Sequence, residues 1–255
     1  MRMALTRAPT PALARCELSW LERTPIDLER AAAEHHAYEQ CLGTLGCTVR
    51  RLDADPSLAD AVFIEDCAVV LDEVALITRP GAESRRAETP GVEQALRDYR
   101  PIRRIEPPGT LDGGDVLRLD RRLFIGLSRR SNAAALEQCR ALLRPFGYEV
   151  HPVAVGDCLH LKSAVSAIAD DLLLINPAWI DATAFAAAHV VEIDPLEPHA
   201  ANALRIGEAV VHSAAFPRTR QRMAAHAIRV VPVAAGELAK AEGGVTCCSL
   251  VFPVA

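Results

Sequence analysis

Polar and apolar positions along this chain fall into one order that recurs. Residues 26–43, 84–99, 131–146, a short stretch at 180–188, and 218–227 carry apolar side chains at helical spacing and predict helices. Their starts are marked: Ser131-Asn132 offers capping oxygens, and Pro25 and Pro217 sit near a first turn. Each is followed by a short run rich in β-branched residues, at 47–52, 102–105, 148–155, 190–193 and 228–233, which predicts a strand. After each strand comes a loop, then two apolar runs folded at a polar turn. The turns are Asp72-Glu73, Asp120 to Arg122, Asp170-Asp171 and Gly207-Glu208. The runs they join are 67–71 with 74–78, 116–119 with 123–126, 163–168 with 172–175, and 203–206 with 209–213. The fifth hairpin is split, with one run at 249–254 and the other at 2–6.

This order predicts an α/β fold of five strand–loop–hairpin–helix repeats around a pseudo-fivefold axis. It makes one domain over residues 1–255, and hairpins about 40–50 residues apart match the spacing of propeller blades. Pairing the first strand with the last closes the ring and removes an exposed sheet edge. An open α/β sheet with helices on both faces is the alternative, but it gives no reason for hairpins at regular intervals.

Composition narrows the function. Half of the 255 residues are apolar, and the formal net charge of −5 is spread along the chain. The basic stripe that nucleic acid or an anionic membrane surface requires is missing. Residues 1–10, broken by Arg2, Arg7 and Pro9, do not read as a signal peptide, and no apolar run approaches the roughly 18 residues of a membrane span, so a cytoplasmic protein is expected. The eight cysteines form no C-x-x-C pair and no zinc spacing; most read as small buried hydrophobes. Cys158 and His160 would supply only two ligands, so no metal is expected.

The repeat brings the chemistry together. The loop entering each hairpin holds Asp60, Glu65 and Asp66 in the first unit, Asp112 in the second, His160 in the third, Asn202 in the fourth and Cys247 in the fifth. A ring would converge these on one pocket. A thiol needs a base or cation nearby to ionise near neutral pH, and a histidine can supply it. Facing carboxylates would silence the thiol unless the substrate is itself a cation. A guanidinium is planar, permanently charged and paired bidentately by carboxylates.

In these residues the chain resembles the dimethylarginine dimethylaminohydrolases of the guanidino-group-modifying (pentein) superfamily. The likeness runs through Ala4-Leu5-Thr6-Arg7, Cys16-Glu17-Leu18, Phe63-Ile64-Glu65-Asp66-Cys67, Thr78-Arg79-Pro80-Gly81 and Ser84-Arg85-Arg86. It continues in Leu111-Asp112-Gly113-Gly114-Asp115, Gly126-Leu127-Ser128, Arg130-Ser131-Asn132 and His160-Leu161-Lys162, and ends in Gly243-Gly244-Val245-Thr246-Cys247-Cys248-Ser249. The resemblance implies a five-bladed αβ-propeller without cofactor. It makes Cys247 the nucleophile, His160 the acid and later the base, and Asp112 the acid beside the histidine. It implies substrate binding by Asp60, Glu65, Asp66, Arg85, Arg130 and the backbone of Ala241, with Leu18 on a lid. Arg86 and Arg129 are the alternative register for the two arginines. The implied reaction takes Nω-methylated arginine to citrulline and dimethylamine or methylamine through a thiouronium on Cys247. An arginine deiminase, amidino transfer and a non-catalytic guanidinium binder are the alternatives, and the exposed helical rim is compatible with a homodimer.

Overall fold

The structure, a computed structural model, describes residues 1–53, 55–185 and 188–254. Fifteen strands are found among them. In chain order they are β1 (Arg2–Arg7), β2 (Cys47–Leu52), β3 (Ala68–Val70), β4 (Ala75–Ile77), β5 (Ile102–Arg104), β6 (Val116–Leu119), β7 (Arg122–Leu127) and β8 (Glu149–Ala154). There follow β9 (Val165–Ala167), β10 (Leu172–Ile175), β11 (His189–Glu192), β12 (Ala203–Ile206), β13 (Ala209–Ser213), β14 (Arg229–Val233) and β15 (Leu250–Pro253). They form five three-stranded sheets, β3-β4-β5, β6-β7-β8, β9-β10-β11, β12-β13-β14 and β15-β1-β2. Each is an antiparallel hairpin whose second strand also pairs in parallel with the strand after the helix. The predicted single strand therefore completes the preceding blade, and the loop that follows it crosses to the next.

Local chemistry sets the turns and helix starts. The hairpins β6-β7 and β12-β13 turn on Asp120 and Gly207, both left-handed (φ 54° and 62°), as two-residue turns matched to strand twist require. Asn132 accepts a hydrogen bond from the Ala135 N–H and caps the helix Ala133–Leu143. The predicted helix at 84–99 divides into a 3-10 stretch, Glu83–Glu88, and an α-helix, Thr89–Leu96. At 180–188 only the 3-10 turn Ala182–Phe185 forms, and residues 186 and 187 lie outside the described residues. There Ile180 and Phe185 enter the apolar cluster that holds Phe124 and Leu173, with Phe185 5.1 Å from the Phe124 ring.

The core is divided rather than central. Five apolar clusters each occupy the space between two adjacent blades, most with one helix laid over them. Met3, Leu5 and Phe252, for example, pack on Ile64, Ile77, Val92 and Leu96. Ring closure is as predicted: β1 lies between β15 and β2, with Met3 opposite Phe252 and Thr48. Closure does not merge the sheets into one barrel, so each blade keeps two edges. The inner edges, β3, β6, β9, β12 and β15, surround an axial cavity of about 260 Å³, and they stay short, which limits stray pairing.

Candidate active site

All five blade-to-blade loops reach the same end of the ring, where several of their residues also border the axial cavity. Asp66 stands in the 3-10 turn Ile64–Cys67, and Asp112 directly precedes the turn Gly113–Asp115. His160 precedes the short helix Leu161–Ala164, and Cys247 sits in the turn just before β15. Asn202 enters β12. The glycines allow this crowding. A Cβ on Gly114 would meet His160 Nδ1 at 2.7 Å and Asp66 Oδ1 at 2.9 Å, and one on Gly113 would meet the Glu65 carbonyl at 2.0 Å.

The imidazole of His160 is buried, with Nε2 3.0 Å from Asp112 Oδ2. Burial favours the neutral ring, but the Asp66 charge, the hydrogen bond to Asp112 and the Asp115 and Asp112 charges outweigh it and lift His160 to about 9. Cys247 also moves upward, which in a thiol favours the neutral form: burial, then the Glu65 and Asp66 charges, push it up to about 12. The Gly244 N–H, 3.3 Å from Sγ, and Lys162 oppose that rise. Near neutral pH the site thus rests as imidazolium and neutral thiol.

Asp66 is buried, and its carboxylate is held by Arg85 (Oδ2 to Nη1 2.6 Å) and the Gly114 N–H (2.9 Å). Burial alone would raise it; the charges of His160 and Arg85 and these hydrogen bonds outweigh that and keep it well below the usual carboxylate range. Asp112 accepts from the Gly81 N–H at 2.9 Å and has Arg130 Nη1 at 3.6 Å. Asp66, Asp112 and His160 bring ligand atoms within 4.8 Å of one another, a spacing that would suit a cation. In this state the guanidinium groups of Arg85 and Arg130 already supply the positive charge. Glu65 is paired with Lys162 and accepts from Thr246 Oγ1 at 2.7 Å; with Lys162 it walls both the site and the axial cavity.

Two compartments meet at Cys247 and His160. One, of about 20 Å³, is charged and is lined by Asp60, Asp66, Arg85, Arg130 and Ala241 among others. The other, of about 520 Å³, is largely apolar, with Trp20, Leu159, Trp179, Phe216 and Val245 in its wall. The alternative arginines lie elsewhere: Arg86 lines a separate cleft beside the helix Thr89–Leu96, and Arg129 stacks 5.2 Å over Trp20. Leu18 packs on the apolar cluster that includes Ala241, Val245 and Cys247. Asp60 accepts the Glu17 N–H at 3.1 Å. Every predicted site residue is thus brought to this end. Arg85 is far more engaged than a substrate ligand alone would be, since it also binds Glu88 and the carbonyls of Asp60 and Phe63.

Three further groups position the site. Asp115, fully buried, accepts the hydroxyls of Ser128 and Ser131 (2.6 Å each) and the Leu161 N–H (2.9 Å), while Ser131 Oγ accepts the Asp112 N–H. It therefore ties the Asp112 loop, the His160 loop and the Arg130 segment together. Asn202 holds Thr246 through both ends of its amide. The carboxylate of Glu242 receives three backbone amides of the segment above the site. The sequence marks Asp115 by its Asp-Gly-Gly-Asp turn and Asn202 by its repeat-equivalent loop, without giving either a role in the site; Glu242 has no such signal.

The family profile described as N,N dimethylarginine dimethylhydrolase, eukaryotic, matches residues 15–253. The N(G),N(G)-dimethylarginine dimethylaminohydrolase of Streptomyces coelicolor is 38% identical over 260 residues, covering 98% of this chain and 96% of the relative. That of Pseudomonas aeruginosa is 36% identical over 228 residues, covering 89% and 90%. A solved structure of the Pseudomonas aeruginosa DDAH, a Cys-to-Ser mutant complexed with citrulline, superposes with a TM-score of 0.94 at 34% identity and covers 98% of both chains. Five hairpin–helix–strand blades around a site of thiol, imidazole and carboxylates make this a pentein. Within that class, the chain belongs to the dimethylarginine dimethylaminohydrolase family.

Proposed function

We propose that the protein hydrolyses Nω-methylated arginine to citrulline and the corresponding amine, with Cys247 as nucleophile, His160 as proton donor and then base, and Asp112, hydrogen-bonded to His160, helping Asp66 to hold it charged. The observation that carries this reading is the meeting of Cys247 and His160 at the junction of the two compartments, one of them bearing fixed charges of both signs. Arg130, with Arg85 behind it, would receive the substrate carboxylate and Asp60 its ammonium, under Leu18 and beside the Ala241 backbone. The guanidinium would lie between Asp66 and Asp112, with Glu65 below. Such fixing of both ends removes orientational freedom and supplies several kcal/mol toward the barrier.

The raised thiol fits a cationic substrate. As the guanidinium enters, its charge offsets Glu65 and Asp66, and Cys247 gives its proton to solvent. The thiolate attacks the central carbon to form a tetrahedral adduct. His160 donates its proton to the departing nitrogen, the C–N bond breaks, and a neutral amine leaves. The remaining S-alkylthiouronium is attacked by water, which gives a proton to the now neutral His160. Collapse of the second adduct expels the Cys247 thiolate, the hydroxyl proton passes to solvent, and citrulline is left. The eight unpaired cysteines support a reducing, cytoplasmic setting.

The test is a substrate panel of dimethyl-, monomethyl- and unmethylated arginine, with citrulline and the amine both measured. Citrulline with equimolar dimethylamine is expected, and none from Cys247→Ser. Ammonia from unmethylated arginine alone would favour a deiminase. No citrulline from any member would refute the reading.

A further inference from the structure

The segment from Glu17 to Leu21 lies over the site, and its ties differ in what substrate would do to them. The Glu17 N–H is bound by Asp60, and Ser19 Oγ accepts from Arg130 Nη2 at 3.1 Å. Both partners are groups that the proposed function assigns to substrate, so an arriving ammonium and carboxylate would compete for them. Ser84 Oγ also donates to Glu17 Oε1, at the near end of the segment. The tip is held otherwise. One carboxylate, that of Glu242, accepts the N–H groups of Ser19 (3.0 Å), Trp20 (2.6 Å) and Leu21 (2.7 Å). Three successive amides turned to one anion form the concave arrangement that backbone builds around fixed negative charge.

Glu242 is placed for this at a cost. Its backbone is left-handed, φ 59°, a conformation that side chains other than those of glycine, asparagine and aspartate seldom adopt. It stands between Ala241 and Gly243, and it borders both compartments. We infer that Glu242 is the latch of the 17–21 segment: a positioning residue that keeps the cover closed while Asp60 and Arg130 are drawn to substrate, and so sets substrate affinity rather than the chemical step. The consequence for affinity rests on the function proposed above; the latch itself does not.

Glu242→Gln tests it, because the amide keeps the size but presents an NH₂ to amides that need an acceptor. Hydrogen exchange read at residues 19–21 of the free protein should quicken about tenfold or more, while β1 stays as protected as in the parent. With methylated arginine, KM should rise about five- to tenfold with kcat within twofold, the scale of losing one charge-assisted hydrogen bond in solvent. Should Glu242→Gln fold poorly, Glu242→Asp, with its shorter reach, should move both readouts the same way by less. Unchanged exchange at 19–21 overturns the latch, and so does a fall in kcat at constant KM. If the parent protein releases no citrulline, the function reading fails, and the exchange measurement still decides whether the latch exists.

Discussion

Replacing Asp112 by Asn should uncouple the imidazole from its charge without changing the shape of the site. His160 lies 3.0 Å from Asp112 and is carried from 6.5 to about 9 against the pull of burial. That rise is a differential interaction of about 3 kcal/mol, with Asp66 and Asp115 sharing the work. A hydrogen bond to a charged group contributes about 1.5–3 kcal/mol, so the variant's imidazole should titrate about 1–2 pH units lower, near 7–8. Two measurements check it. The ring signal of His160 followed by NMR should move its midpoint, and the alkaline limb of kcat/KM should move with it, since Cys247 titrates well above at about 12. The effect on stability has a definite sign. A raised histidine stabilises the fold fully below 6.5, and that contribution is lost as pH rises through about 9. The parent should therefore exceed Asp112→Asn in unfolding free energy at pH 6, and the gap should narrow toward pH 10. A ring midpoint unmoved by the substitution would refute the argument that Asp112 holds the charge.

Gly114→Ala places a methyl 2.7 Å from His160 Nδ1 and 2.9 Å from Asp66 Oδ1. Neither partner can withdraw without losing its own contacts, so kcat/KM should fall about 100-fold in steady-state assays. Arg85→Met strands Asp66 and Glu88, both buried, and should cost about 3–5 kcal/mol in urea unfolding. Arg130→Met, which frees only a 3.6 Å pairing and a serine contact, should instead act mainly on KM. Equal stability losses for the two arginines would contradict this division of roles.

The blades were legible because each hairpin carries its own local signal. The turns Asp120-Arg121 and Gly207-Glu208 bracket alternating runs, and β12 and β13 fall where the pattern puts them. The 180–188 stretch reads as a helix because an alanine-rich run propagates helix readily, while its described residues form the 3-10 turn Ala182–Phe185 and fill that interblade space with Ile180 and Phe185. The candidate site was legible as far as equivalent loops in a ring could carry it. The order of its contacts was not. Lys162 meets Glu65 across 97 residues, Thr246 meets Glu65 across 181, and Glu242 meets Leu21 across 221. No periodicity encodes such meetings; they arise only once the ring has brought distant loops to one end. Arg85 illustrates the difference, since the sequence marks a cation and only the fold reveals three carbonyl or carboxylate partners besides Asp66.

The place of β1 in its blade has a bearing on how the molecule is made. This strand is the middle member of its sheet, yet among the described strands it is made first and must wait for β15, which is made last. Until then the nascent chain holds β1 only against β2 and leaves Leu5 and Met3 without Leu250 and Phe252. The thiol-bearing turn arrives together with that final strand. A product of interrupted translation can therefore own the arginines, the carboxylates and the imidazole of the candidate site, and still lack the Cys247 thiol.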